Sequence, residues 1–260
     1  MDYQHLLFEQ NEGVCTLTLH RPEVYNAINN RLADELMHAF QTIEQIPEVR
    51  VVVLTGSGRA FCTGHDLKAP ENQEGRPSSY TINRNYVPLI LAMRYLPKPI
   101  LCRLNGVAAG AGCSLALACD MIIADEEAEL MQVFVNIGLV PDAGSAYFLP
   151  QMVSRNQAFE LMSKATRLKA REALALGIVN RAVPASELDA ALKIETDYYT
   201  QAPTKAIGMI KKMVNQAYHA DLRQMMELEA VYQDHAHYSH DHREGVQAFL
   251  EKRRPRFKGH

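Results

Sequence analysis

Residues 99–125 read PILCRLNGVAAGAGCSLALACDMIIAD. The apolar run that ends at Gly106 reads as a strand, and a turn of small residues follows it. CSLALACD then reads as a short helix and MIIAD as a further strand. The same succession recurs at loosely similar intervals. VCTLTLH, residues 14–20, alternates apolar and polar positions as a half-buried strand does, and Arg21-Pro22 ends it. Asn29 or Asn30 caps a helix over about 31–46, with Leu32, Leu36, Ala39, Phe40 and Ile43 on one face. VRVVVLTGSG, residues 49–58, is a continuous run closed by glycines, the pattern of a strand covered on both faces. GIVNRAV, residues 177–183, supplies the last strand. After Glu187 no strand signal remains, and helical periodicity runs to residue 253. No Gly/Ser- or Pro-rich spacer marks that change, so it is a change of architecture and not a linker. The division expected is 1–195 for an α/β core and 196–260 for a C-terminal helical region. The polar stretch 69–80, APENQEGRPSSY, is expected as a surface loop edging a site.

Composition excludes several classes. The chain has 260 residues, 47% hydrophobic and 22% charged, enough to bury a large core. Net charge is −3 and the pI about 6.4, so no dense basic surface exists for a nucleic acid. The short basic run EKRRPRFK, residues 251–258, suits a phosphate contact or a solvated tail better than a polyanion. Cys15, Cys62, Cys102, Cys113 and Cys119 lack CxxC spacing and read as buried thiols of a reducing compartment. Neither a signal peptide nor a membrane-length apolar run is present, which points to a cytoplasmic protein without a membrane partner. DHAHYSHDH, residues 234–242, offers weak metal-ligand spacings, but a solvated or interface helix fits it better, and no metal is expected.

Two turns carry the chemistry. GRAFCTGHDLK, residues 58–68, and NGVAAGAG, residues 105–112, each follow a strand. Small residues there serve either tight packing or the presentation of backbone N–H groups to one oxygen, as an oxyanion hole does. Gly106, Gly110 and Gly112 do not make GxGxxG, which excludes a dinucleotide loop. A third stretch, VFVNIGLVPDAGSAYFLP at 133–150, holds a single carboxylate, Asp142. Its residue type and place allow either an acid/base or a cap on the helix that follows.

HRPEVYNAIN, VVVLTGSGRAFCTGHDLK, KPILCRLNGVAAGAGCSLALACDMIIAD, GLVPDAGSAYFLP, EALALGIVNRAV and REGVQAFLEKRRPRF resemble the enoyl-CoA hydratase/isomerase (crotonase) superfamily, over about residues 5–258. The resemblance implies an α/β spiral of ββα turns followed by a C-terminal helical trimerisation region. It implies a homotrimer or dimer of trimers and an acyl-CoA thioester substrate. No cofactor is implied, because coenzyme A is part of the substrate. The backbone N–H groups of His65 and Ala111 match the family's oxyanion positions. Arg21, Ala60, Asp66, Leu67 and Lys68 fall where the family lines the CoA, as do Phe249 and Lys252 near the C-terminus.

The sequence departs from the hydratase pattern at both catalytic glutamates, which are here Ser114 and Phe134. Hydration needs one group to activate water and another to protonate carbon. Asp142 stands instead where the family's isomerases carry their single acid, and the motifs resemble the ring-epoxide acyl-CoA isomerase of phenylacetate degradation and the enoyl-CoA isomerases of fatty acid metabolism. The expectation is therefore an isomerase with Asp142 as its acid/base. Ser114, Phe134 and Tyr147 are expected to shape the acyl pocket, and the His65 imidazole is expected to turn to solvent. A hydratase with an atypical site and a non-catalytic acyl-CoA-binding trimer are the alternatives.

Overall fold

The computed structural model describes residues 3–70 and 75–260. Strands β1 (Leu6–Asn11) and β2 (Val14–Leu19) form a hairpin that sets Leu6 opposite Leu19. Helix α1 (Asn30–Glu44) is capped by Asn29, whose side chain accepts the Leu32 N–H. It buries the predicted face, from Leu32 to Ile43. Lys98 Nζ donates to the Ile43 and Ile46 carbonyls, both at 2.6 Å, and so places a cation at the negative end of that helix.

The core is wound from three pairs of strands. These are β3 (Val51–Gly56) with β4 (Ala60–Cys62), β5 (Ile100–Leu104) with β6 (Val107–Ala109), and β7 (Met121–Asp125) with β8 (Glu129–Met131). Each pair gives one strand to each of two sheets. The larger sheet has the order β1-β2-β3-β5-β7-β10 and is parallel from β2 onward. The smaller has the order β4-β6-β8-β9. Helices α2 (Ser78–Thr81) and α3 (Val87–Tyr95), joined by a π-helical turn over 82–86, link the first pair to the second. Helix α4 (Ala111–Leu117) links the second pair to the third. Helices α5 (Ser145–Met152) and α6 (Arg155–Ser163) then lead to β9 (Leu168–Lys169), α7 (Ala170–Ala175) and β10 (Arg181–Val183). This is the spiral of ββα turns that the resemblance implies. All six residues of β3 are buried, which is the physical reason it opens on the apolar run VVVL at 51–54. Val52 and Leu54 join the main core, which also holds the buried face of α1, while Val51 joins Leu101, Ile123, Leu188 and Ala191 in a second core.

Four helices close the chain: α8 (Leu188–Gln201), α9 (Thr204–Gln216), α10 (Leu222–His237) and α11 (His240–Leu250). Helix α8 spans the expected division at 195/196, and its Leu188 and Ala191 pack on the large sheet. Gly208 of α9 lies so close to Pro97 that a Cβ would stand 2.6 Å from the Pro97 carbonyl oxygen. Helix α10 has no buried residue, and Leu222, Met226 and Val231 are exposed. The chain then turns back: both oxygens of the buried Asp241 accept main-chain N–H groups, from Lys258 and Gly259, at 2.7 Å. No helix among the described residues is long and apolar enough to cross a membrane.

Several readings need correction. Strand β6 runs through the expected small-residue turn, and β1, β4, β8 and β9 give no clear sequence signal. The last strand starts at Arg181, not Gly177. Of the expected loop at 69–80, residues 71–74 lie outside the described residues, and helix α2 begins within it at Ser78.

Candidate active site

The two glycine turns lie against each other. Gly64 has φ +92°, and a Cβ there would stand 2.8 Å from the Ala109 carbonyl oxygen and 3.2 Å from the Ala111 nitrogen. Only glycine allows that approach. Gly112 meets the same constraint from the other side, since its Cβ would lie 2.2 Å from the Cys62 carbonyl oxygen. Ile28 bridges the first turn by donating to Gly64 O and accepting from Asp66 N–H. Strand geometry then turns the His65 N–H to the opposite side. Ala111 is the first residue of α4, so its N–H has no carbonyl partner within the helix.

Asp142 lies on the loop before α5. The helix-cap reading fails, because the N-cap of α5 is Gly144 and no side chain caps it. Asp142 Oδ1 is buried without a hydrogen-bond partner. Burial pushes the carboxyl up to about 6, opposed by the nearby His65 imidazole. The Asp142 main chain is fixed from below by Ser114. The Ser114 Oγ donates to the Asp142 carbonyl at 3.0 Å and pairs with Ser145 Oγ at 2.6 Å. Both serines are fully buried.

Ser114, expected to shape the acyl pocket, is fully buried and latches the Asp142 loop from below. Phe134, buried in a 3₁₀ turn over 133–137, packs its ring edge toward Gly110. Of the three expected pocket residues only Tyr147 lines the cavity beside Asp142. That cavity holds about 440 Å³ and is walled by Tyr86, Ile90, Leu91, Ala143, Phe148 and His219 among others. Tyr147 Oη lies 2.8 Å from His219 Nε2, with the two rings stacked at 5.5 Å.

The His65 imidazole is not turned to solvent. Its Nδ1 lies 3.1 Å from the Tyr86 hydroxyl, and the rings meet edge to face at 76°. Burial, with the nearby Asp142 and Cys62, holds the Tyr86 phenol well above its ordinary value. Neither contact was visible in the sequence, because the partner is far along the chain and sits in a π-helical turn. Tyr86 and His219 are the site residues that sequence reasoning missed, and no local pattern marks either.

The expected CoA residues fall into two groups. Arg21 and Asp66 form a shielded ion pair at 2.9 Å, and Arg21 Nη1 also donates to the Ala27 carbonyl. Asp66 Oδ1 further accepts the Lys68 N–H, which fixes the turn that leaves Leu67 and Lys68 exposed. Ala60 is buried in β4. Phe249 and Lys252 are exposed at the end of α11. Phe249 lines a separate groove with Pro203, Met209 and Phe257. Arg253 of the basic run is held by Glu244 at 2.6 Å. Among the described residues no three His, Cys, Asp or Glu side chains form a metal-binding group, the 234–242 histidines included.

A family model described as enoyl-CoA hydratase/isomerase matches residues 9–260. A Rhodobacter capsulatus protein named "Probable enoyl-CoA hydratase" is 40% identical over 100% of both chains. The 1,2-epoxyphenylacetyl-CoA isomerase of Escherichia coli is 38% identical over 98% of this chain and 99% of its own. A crystal structure of an enoyl-CoA hydratase from Mycobacterium smegmatis superposes with a TM-score of 0.91 at 33% identity, covering 97% of this chain and 98% of that one.

Proposed function

The chain belongs to the enoyl-CoA hydratase/isomerase family, and on that premise we propose that it is an acyl-CoA isomerase with Asp142 as its one acid/base. The observation that carries this reading is the carboxyl itself. Its Oδ1 is buried and unpartnered, it is raised to about 6, and the next two residues of its loop, Ala143 and Gly144, line a mostly apolar cavity. A base poised near neutral pH can both take and return a proton. The positions at which hydratases carry glutamates are occupied by a buried hydroxyl and a buried phenyl ring. Neither moves a proton as a carboxylate does.

In this mechanism the thioester oxygen accepts the N–H groups of His65 and Ala111. Asp142 removes a proton from C2 of a 3-enoyl-CoA, and the electrons pass through the thioester carbonyl to give a dienolate. The same carboxyl, now protonated, delivers that proton to C4, which moves the double bond to C2–C3 and regenerates the carboxylate. Negative charge grows on the thioester oxygen in the transition state, so two preset donors lower the barrier there. The E. coli relative's name supports a ring-epoxide acyl-CoA as a substrate that uses the same enolate-stabilising site. The hydratase reading is kept alive by the name of the R. capsulatus relative.

Arg21 and Asp66 brace the turn that carries His65, Leu67 and Lys68, and Lys68 is available to the CoA phosphates. Phe249 and Lys252 are proposed to reach the CoA from the C-terminal region. The exposed apolar residues of α10 support a trimer or a dimer of trimers, which needs no cofactor beyond the CoA of its substrate. Turnover of 3-enoyl-CoA, 2-enoyl-CoA and aryl-CoA esters by the parent and by Asp142→Asn tests the reading. Isomerisation and exchange of the C2 proton with deuterated solvent should both vanish in the variant. Exchange at the parent rate would sink the assignment of Asp142 as base.

A further inference from the structure

The cavity lined by Ala143 and Gly144 has a neighbour. Tyr86, whose hydroxyl reaches the His65 ring, lines the first cavity as well, so both halves of the site border it. The second cavity holds about 330 Å³. Arg94, Tyr147, Phe148 and Asn215 line both, and so form the wall between them. Three of the four are fixed from inside the fold. Arg94 donates to the Ala118 carbonyl at 3.0 Å, to Asp120 at 3.1 Å and to Asn215, which donates back to the Arg94 carbonyl at 2.9 Å. Phe148 is buried under the Arg94 guanidinium, and a Cβ on Gly144 would stand 2.7 Å from its ring. Tyr147 differs. It is 39% exposed, and its hydroxyl is held by His219 Nε2 at 2.8 Å, with the two rings parallel to within 7°. His219 is itself exposed, on the turn between α9 and α10, so the pair ties α5 to that turn across the wall.

The size of the first cavity bears on what fills it. A dry cavity of about 150 Å³ takes a benzene ring, and this one holds about 440 Å³. A four-carbon acyl group leaves most of that space empty. Ile82, Val87, Ile90 and Leu91 give it apolar walls, against which each further methylene gains by leaving water. We propose that this cavity receives the tail of an acyl-CoA longer than four carbons, and that Tyr147, pinned by His219, is the wall that stops the tail and sets the longest one the site accepts. Tyr147 touches the tail; His219 is a positioning residue, since it works through Tyr147. The proposal rests on the acyl-CoA reading of the site, but not on Asp142 as its base.

Saturated acyl-CoAs, from butanoyl-CoA to hexadecanoyl-CoA, cannot be isomerised and serve as probes in titration calorimetry of the full chain. In the parent, affinity should rise about fourfold for each methylene buried, then level or fall where the tail meets Tyr147. In folded Tyr147→Ala the two cavities join and about a ring's volume is freed, so the break should move to tails longer by about two carbons or more. His219→Ala leaves the Tyr147 ring free to swing aside. A tail just past the parent's limit should then bind about fourfold tighter than in the parent. His219 is exposed, so that variant carries the test by itself if Tyr147→Ala fails to fold. A merely structural defect weakens every length alike and leaves the break in place. That result in Tyr147→Ala overturns the role of Tyr147, and in His219→Ala it overturns the pinning. Affinity that ignores tail length overturns the proposal and leaves the acyl-CoA reading standing, whereas a parent that binds none of the series overturns both. If the break moves while Asp142→Asn keeps its turnover, the wall stands and the assignment of Asp142 as base falls.

Discussion

Replacing Asp142 by Asn should make the protein more stable and nearly inactive, and the two effects should separate by pH. In the folded state burial raises this carboxyl from an ordinary 3.8 to about 6. The folded protein therefore holds the proton more tightly than the unfolded chain. Below about pH 4 both states are protonated and the group costs nothing. Between 4 and 6 the unfolded chain loses its proton first, and folding becomes progressively less favourable. Above 6 both are ionised and the full penalty applies. The gap corresponds to at most about 3 kcal/mol, at about 1.4 kcal/mol per pH unit. The carboxyl is partly open to solvent, and Asn leaves its own amide to be satisfied, so the gain should be about 1–2 kcal/mol at pH 8. It should fade to nothing near pH 4. Urea unfolding at both pH values measures it. Turnover should fall by about a hundredfold to ten-thousandfold, the usual worth of a general acid/base. A helix cap would behave in the opposite way, losing about 1 kcal/mol at neutral pH and keeping its turnover. A variant that is less stable at pH 8, or equally stabilised at pH 4 and pH 8, would refute the account of a buried, unpaired carboxylate.

Ala111→Pro removes one main-chain donor at the first position of α4, where proline is well tolerated; the protein should fold, and kcat should drop by about a hundredfold to a thousandfold. Ser114→Ala removes the hydroxyl that holds the Asp142 carbonyl and Ser145. It should cost about 1–3 kcal/mol in thermal or urea unfolding and lower kcat more than it raises KM, because the carboxylate loosens. Light scattering of the purified protein at micromolar concentration should report a trimer or hexamer, and a monomer would contradict the reading of the bare α10 surface.

The legible parts of the fold are those in which one segment carries its own reason. Helix α1 shows its cap in Asn29 and its buried stripe in Leu32, Leu36 and Ile43. Strand β3 shows its double burial in the four consecutive apolar residues VVVL at 51–54. The illegible parts are made by distant partners. Strands β4, β6 and β8 are three residues each, AFC, VAA and ELM, too short to display a period. They exist because successive turns of the spiral pair them. Strand β1 is mostly exposed, so it lacks the alternation that marks a half-buried strand. At the site, the glycine turns and Asp142 were readable as types of residue in a known order. The inward turn of the His65 ring was not, because Tyr86 decides it. The role of Ser114 was not either, because it depends on Ser145 and on a carbonyl that any residue at 142 would offer.

The strands of the large sheet lie side by side in the order in which the chain makes them. From β2 onward each strand pairs with the member of that sheet that immediately precedes it in the chain. A growing polypeptide can therefore lay each coil on the one already formed, with no strand inserted between two earlier ones. A ribosome-bound chain that has emerged as far as Leu104 already owns the four partners β1, β2, β3 and β5. Synthesis and assembly can run in the same direction, and the surface waiting at any moment is one sheet edge, to be covered by the next segment to appear.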